Sequence, residues 1–243
     1  MTNLQNKWAL ITGASRGLGR LMALEMAKAG CNLVLHSRAL ANTAKVEEEV
    51  KALGVQAYSV AAELSDLAQV ERMLDEIEGK GTQIDVLCND AAVQIAYRTE
   101  PFATPAEDYS ASFVINTIAP MLICYRLMPK MIERGFGRVI NTTSGIDKDP
   151  HQAGYSASKA ALDKVTKDLA TKVDGTDVII SLVDPGWCRT DLGGPNAFHA
   201  PEDALPGMVV GAFVNDGKSG RMFSAQEYSG MSLEAAVKLA ESK

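Results

Sequence analysis

Short, nearly continuous apolar runs alternate along the chain with longer segments whose apolar residues recur at helical spacing. WALIT (Trp8–Thr12), NLVLH (Asn32–His36), AYSVA (Ala57–Ala61), DVLCN (Asp85–Asn89), RVINT (Arg138–Thr142) and VIISLV (Val178–Val183) predict strands. Runs apolar at odd and even positions alike suit strands buried on both faces of a parallel sheet. Helices are predicted over Leu18–Ala29, Ala39–Leu53, Leu67–Lys80, Glu107–Glu133 and Ser156–Val173. In AKVEEEVKALG, Val46, Val50 and Leu53 form an i, i+4, i+7 stripe that Gly54 stops. Strand–helix alternation with right-handed crossovers implies an α/β fold with a doubly wound parallel sheet and helices on both faces. No repeat or linker divides residues 1–243, so one domain is expected. Asp191–Gly207 is rich in Gly and Pro without a period and predicts a loop or short helices. Ser232–Ser242 predicts a closing amphipathic helix packed by Leu233, Val237 and Leu239.

Composition narrows the function classes. Hydrophobic residues make up 47% and charged residues 22% of 243, and the net charge is −6. No Lys/Arg run favours nucleic acid or an anionic membrane. No segment reads as a secretory signal or approaches about 18 consecutive apolar residues, so no membrane span is expected and the cytoplasm is the expected location. The four cysteines form no CxxC pair and the three histidines no cluster, so no metal site is expected. Cys31, Cys88 and Cys124 sit in apolar runs, whereas Cys188 is expected nearer the surface.

ITGASRGLGR follows the first strand and opens the first helix, with Gly13, Gly17 and Gly19 in G-x-x-x-G-x-G. Glycines there permit a tight turn and let backbone N–H groups and the helix amino end approach a pyrophosphate. The alternative is a strand–helix turn that holds no ligand. As a dinucleotide site, Gly13, Ser15, Arg16, Gly17, Leu18 and Gly19 are its candidate contacts. The second strand ends in Ser37 and Arg38 where a carboxylate would hold a ribose 2′-hydroxyl. A hydroxyl followed by a guanidinium suits a 2′-phosphate, and Arg16 adds a second cation. NADP(H) is therefore expected over NAD(H), although either arginine alone reads equally well as a solvated surface charge. GYSASKAAL places Tyr155 and Lys159 one helical turn apart on one face.

Taken in order, TGxxxGxG at Thr12–Gly19, Asn116, Ser144, Tyr155-x-x-x-Lys159 and Pro185-Gly186-x-x-x-Thr190 resemble the short-chain dehydrogenase/reductase family. The resemblance covers nearly the whole chain and implies a single-domain Rossmann fold with its site at the carboxyl ends of the strands. It implies that Tyr155 is the general acid/base of hydride exchange between a carbonyl and an alcohol. Lys159 would lower the phenol's pKa and hold the nicotinamide ribose. Ser144 would bond the reacting oxygen, and Asn116 would anchor a water-linked proton path to Lys159. Pro185, Gly186 and Thr190 would shape the nicotinamide pocket, Glu63 and Leu64 would lie near adenine, and Asn89 and Ala91 would touch the cofactor. CNDAAV departs from the family's usual Asn-Asn-Ala-Gly: Asp90 has no assigned role, and Ala92 stands where glycine is common. PGWCRTDLGGPNA resembles the carbonyl-reductase-like branch. A catalytically silent nucleotide-binding or regulatory protein is the rival reading, and cofactor-assisted epimerisation or dehydration a third. Asp191–Gly207 and the residues after Asn89 are expected to line the substrate pocket, with Tyr97, Trp187, Phe198 and Met208 as apolar candidates. Family members pair through the two long helices, so a homodimer or homotetramer is expected: one helix carries two apolar surfaces, including Met121, Leu122, Ile123 and Leu127, more than one sheet face can cover.

Overall fold

The computed structural model describes residues 1–243. Its strands are β1 (Trp8–Thr12), β2 (Asn32–Ser37), β3 (Ala57–Ala61), β4 (Ile84–Asn89), β5 (Gly137–Thr142), β6 (Val178–Asp184) and β7 (Met222–Ser224). Its helices are α1 (Gly17–Lys28), α2 (Ala44–Lys51), α3 (Leu67–Gly79), α4 (Ala106–Phe113), α5 (Ala119–Arg134), α6 (Ala153–Ala170), α7 (Val210–Phe213) and α8 (Leu233–Glu241). All seven strands are parallel, in the order β3-β2-β1-β4-β5-β6-β7. The α/β doubly wound Rossmann-like fold is thus present, and the order reverses between β1 and β4, where such sheets bind ligands.

The continuous apolar runs now have a cause. Ile11, Leu33, Leu35, Val86 and Ile140 join the core layer of α1, α2, α7 and α8. Their neighbours Leu10, Val34, Leu87, Val139 and Ile180 join the layer of α3 and α5 on the other face. Each strand therefore needs an apolar residue at every position, because successive side chains enter opposite layers.

The six expected strands are found within one residue at each end. The seventh, β7, has three residues at the sheet edge and was too short to show a pattern; it pairs Leu182 with Met222 and Asp184 with Ser224. The helix expected from Ala39 starts at Ala44, after a 3₁₀ turn over Leu40–Asn42. α6 starts three residues before the expected Ser156, because Asp149 caps the 3₁₀ turn Pro150–Gln152 that runs into it. The expected helix Glu107–Glu133 is interrupted by a π turn at Val114–Ile118. The whole run Ala106–Arg134 has 29 residues and reaches a mean hydropathy of 1.4, long and apolar enough to cross a membrane by length and composition. Half of its apolar stretch is buried, and Ile123, Leu127 and Met131 pack into the core. Ile123 and Leu127 therefore face the sheet, Met121 and Leu122 are half-buried, and the exposed large apolar or aromatic residues of this run are Tyr109, Ile118, Tyr125 and Ile132.

A buried polar chain ties the strands to α6 beneath the site. Asn89 Nδ2 donates to Asn141 Oδ1 at 2.8 Å, and Asn141 Nδ2 donates to Thr166 Oγ1 at 2.8 Å. All three residues are buried. Asn141→Ala leaves Asn89 Nδ2 and Thr166 without this partner, so it should cost about 2 kcal/mol of stability. A denaturant midpoint lowered at unchanged slope is the expected result; a change below about 0.5 kcal/mol would show that the chain does not hold the layers together.

Candidate active site

The β1–α1 turn lies against the chain leaving β4. A Cβ on Gly13, whose φ is +74°, would stand 2.9 Å from Ala91 Cα, and one on Gly19 would stand 2.4 Å from the Gly13 carbonyl oxygen. Neither position has room for a side chain. Thr12 Oγ1 accepts the N–H groups of Asp90 and Ala91 at 3.0 and 3.1 Å. From β2, the His36 carbonyl accepts the Ala14 N–H at 2.9 Å. The buried His36 ring takes the Gly13 N–H on Nδ1 at 3.3 Å and donates from Nε2 to the Ala62 carbonyl at 3.0 Å. Burial lowers the His36 pKa, which keeps the ring neutral and Nδ1 able to accept.

α1 begins without a side-chain cap, and its first turn contains no acid. Its amino end therefore offers N–H groups and a positive partial charge to an anion. Thr190, after β6, faces this turn: its methyl carbon lies 3.6 Å from the place of a Cβ on Gly17. The cradle between Gly17 and Thr190 fits the phosphates of a dinucleotide. Ser15, Arg16 and Leu18 lie on the same turn. Gly186, with φ +72°, donates its N–H to Asp184 Oδ1 at 3.0 Å, and Gln226 Nε2 donates to the Pro185 carbonyl at 2.7 Å.

Several expected contacts are placed differently. Arg16 Nη1 pairs with Asp191 Oδ2 at 2.6 Å, so it is not a free second cation; Arg38 is exposed. Ser37 is buried and donates its hydroxyl hydrogen to the Ala39 carbonyl at 2.7 Å, leaving only oxygen lone pairs. Asn89 is buried and its amide nitrogen is engaged by Asn141, so its side chain braces the sheet and only its backbone can meet a cofactor. Leu64 is buried, and the Glu63 N–H donates to Gln69 Oε1 at 3.0 Å. Ala91 packs against Gly13. Ala92 needs no left-handed backbone, since only Asn6 and Lys148 among non-glycine residues have positive φ. Cys188 is buried, with its thiol on the Pro185 carbonyl.

Three of the four expected catalytic residues, Ser144, Tyr155 and Lys159, meet at the carboxyl end of β5. Tyr155 and Lys159 share one face of α6, with Lys159 Nζ 5.9 Å from the Tyr155 ring centre. Lys159 donates to the Thr142 carbonyl at 2.7 Å. Ser144 follows β5 and its hydroxyl acts on the Tyr155 phenol, favouring the ionised form. Burial outweighs it: Tyr155 is pushed up to about 12, with Asp184 and Asp90 adding to the rise. Lys159 is pushed down to about 8 by burial, against the pull of Asp90 and Asp163. The expected lowering of the phenol by Lys159 is thus absent here. Desolvation of the buried phenol exceeds the help of the Ser144 hydroxyl, and the Lys159 ammonium is turned to a carbonyl.

Asn116 sits in the π turn, a distortion common at functional positions. Its amide takes the Val93 N–H and reaches the Val93 carbonyl, both at 2.9 Å, and it donates to Ser158 Oγ at 3.0 Å. Both amide hydrogens are thus engaged, while Oδ1, with one bond from Val93, keeps a lone pair. The side chain clamps the segment leaving β4 to α6, and Ser158 in turn donates to the Tyr155 carbonyl at 2.7 Å.

Tyr155 also lines a small cavity with Ile95, Ala96, Arg98 and His151. Arg98 grips Asp108 through two hydrogen bonds of 2.6 and 2.8 Å. Tyr97 stacks on His151, and Trp187 meets Phe198 edge to face at 5.1 Å; all three of Tyr97, Trp187 and Phe198 are exposed. Met208 is fully buried in the core and cannot line a pocket wall. The bracing residues His36 and Thr142 were not singled out from the sequence. His36 breaks an apolar strand, which was a signal; Thr142 contributes a backbone carbonyl, which any residue carries.

Residues 7–198 match the family model described as short chain dehydrogenase. A short chain dehydrogenase of Pseudocercospora fijiensis is 30% identical over 207 residues, 83% of this chain and 64% of the relative, so the chain spans less than two thirds of that protein. The ketoacyl reductase HetN of a Nostoc species is 34% identical over 220 residues, 88% of this chain and 76% of its own. The solved structure of landomycin C-6 ketoreductase, with bound NADP and rabelomycin, superposes with a TM-score of 0.79 at 28% identity and covers 96% of this chain and 98% of its own. The glycine cradle, the Tyr155–Lys159 helix and these matches agree: the chain belongs to the short-chain dehydrogenase/reductase family, as an NAD(P)-dependent oxidoreductase.

Proposed function

We propose that the protein is an NADP(H)-dependent reductase of carbonyl-reductase-like type that interconverts a ketone or aldehyde and its alcohol. The observation that carries this reading is the placement of Tyr155, Ser144 and Lys159 together at the carboxyl end of β5, across from the uncapped amino end of α1. A bound nicotinamide would supply or accept the hydride. Tyr155 Oη gives a proton to the substrate oxygen, or takes it in the reverse direction. Ser144 donates a hydrogen bond to the same oxygen, and Lys159 favours the phenolate once the site is closed to water. Asn116 fixes the chain after β4 and so the wall facing Tyr155. Arg38, after a strand end without a carboxylate, favours the 2′-phosphate of NADP(H). The NADP held by the landomycin ketoreductase structure supports that preference. Trp187, Phe198 and Tyr97 suit an apolar or aromatic substrate. The four unpaired thiols suit a reducing compartment, the cytoplasm. Ile118, Tyr125 and Ile132 recur at seven-residue intervals on the outer face of the long helical run, and we assign this stripe to a subunit contact in a homodimer or homotetramer.

Tyr155→Phe should lower turnover about a hundredfold or more while NADPH affinity stays close to normal. Near-normal turnover in this variant would remove the proposed acid/base. The same pair of proteins tests the burial effect. A phenol raised above its ordinary value stays neutral until pH passes the raised value. Without added cofactor, the absorbance difference between wild type and Tyr155→Phe should therefore show no tyrosinate below about pH 11. A step near neutral pH would contradict it.

Arg38→Asp should weaken NADPH about tenfold or more and NADH much less, measured by fluorescence titration. Equal affinity of the wild type for both cofactors would refute the preference. Light scattering at micromolar concentration should give a dimer or tetramer mass, and Tyr125→Asp should shift it toward the monomer. A wild-type monomer would refute the assigned contact.

A further inference from the structure

We propose that Asp90 couples cofactor binding to proton uptake: its carboxylate occupies the amino end of α1, so the site holds an anionic dinucleotide most tightly when Asp90 is protonated. The inference rests on the dinucleotide reading above and adds to it a residue to which the family resemblance gives no role.

Asp90 is the first residue past β4, and Thr12 Oγ1 holds its N–H at 3.0 Å. Its Oδ1 accepts the Thr142 hydroxyl hydrogen at 2.9 Å. Its Oδ2 lies 3.0 Å from the place of a Cβ on Gly19, the third residue of α1, and the Gly19 backbone favours the charged carboxylate. A helix whose own first turn has no acid thus receives one from a neighbouring strand. The positive end of a helix favours one nearby anion; a second, brought by the cofactor phosphates, meets the first as a like charge.

The other charged groups around it are few. Lys159 on α6 attracts the carboxylate, and Asp163, one turn further on, acts on the same ammonium. Tyr155 on α6 is raised by Asp90 and by Asp184 at the end of β6. His36 on β2 is buried and neutral, and Arg16 on the turn pairs outward with Asp191. Burial raises Asp90 to about 6, against the pull of Thr142, Lys159 and the Gly19 backbone. An approaching anion raises it further. Binding then takes up a proton at any pH between the free and bound values. Affinity is greatest below about pH 6, falls as pH rises, and levels off once Asp90 is ionised in both states. Lys159, near 8, also gains a proton on binding an anion, but it is charged in both states near pH 6.5. The NADPH phosphomonoester itself titrates near 6, so the quantity to read is the difference between proteins with one ligand.

The test titrates NADPH, and separately NADH, into the full chain at pH 6.5 by calorimetry in PIPES and imidazole, whose ionisation heats differ. Dissociation constants are also measured from pH 6 to 8. Wild type should take up a larger fraction of a proton than Asp90→Asn. The variant should bind about tenfold tighter at the upper end of the range, as one unit of relieved like-charge shift implies. Thr142→Val removes a hydrogen bond that keeps the carboxylate charged, so its pH midpoint should move upward; this keeps the proposal testable should Asp90→Asn fold poorly. Equal proton uptake and equal slopes in wild type and Asp90→Asn would overturn the inference, as would weaker binding by that variant at high pH or an unmoved midpoint in Thr142→Val. Binding of neither cofactor by wild type would overturn the dinucleotide reading itself, and this inference with it.

Discussion

One close approach sets the geometry of the cleft: the β1–α1 turn lies directly on the exit of β4, joined by the Thr12 hydroxyl to two successive backbone amides. Gly13, at positive φ, is required by that approach, since a Cβ there would overlap Ala91, and Gly19 by the tightness of the turn itself, since a Cβ there would overlap the Gly13 carbonyl. His36 holds the same turn from the β2 side. With the turn fixed between β2 and β4, the amino end of α1 opens at the point where the strand order reverses, and Thr190 faces it from the far side. The same contact carries Asp90 under α1 and Ala91 against Gly13, so the anion cradle and its acidic neighbour share one cause.

Around that cradle, burial outweighs local charge. Tyr155 is raised, Lys159 lowered and Asp90 raised, each chiefly by loss of water. All three shifts favour the neutral form, although Lys159 and Asp90 attract one another. An interior that disfavours charge makes each remaining charge felt over a longer range. It also makes the protonation of these groups responsive to any charged ligand that enters.

The supports of the site are polar and inherited from the fold. Asn116 interrupts a long apolar helix with a π turn and spends its amide on Val93 and Ser158. Asn89 and Asn141 join two strands, and Thr166 joins them to α6. Tyr155, on that helix, is thus positioned from below by the sheet and from the side by Asn116 through Ser158.

The sequence alone determined the strands, the alternating layers, the glycine turn and the Tyr155–Lys159 face, because each is written in residues near one another in the chain. Apolar continuity follows from burial on both faces, and i, i+4 spacing follows from the helix itself. Only the tertiary structure decided where side-chain hydrogen bonds end. Thr12 meets Asp90 across 78 positions, and Asn89 meets Asn141 across 52. For that reason the bracing role of the Asn89 side chain is not legible in the sequence, and Arg16 reads as a free cation and is paired with Asp191. Met121, Leu122, Ile123 and Leu127 read as two apolar surfaces, of which Ile123 and Leu127 prove to be core, since helical periodicity fixes which residues share a face but not which face meets the sheet. Asp90 had no reading at all: its meaning depends on the amino end of a helix that precedes it by some seventy residues and reaches it only once the strands are ordered.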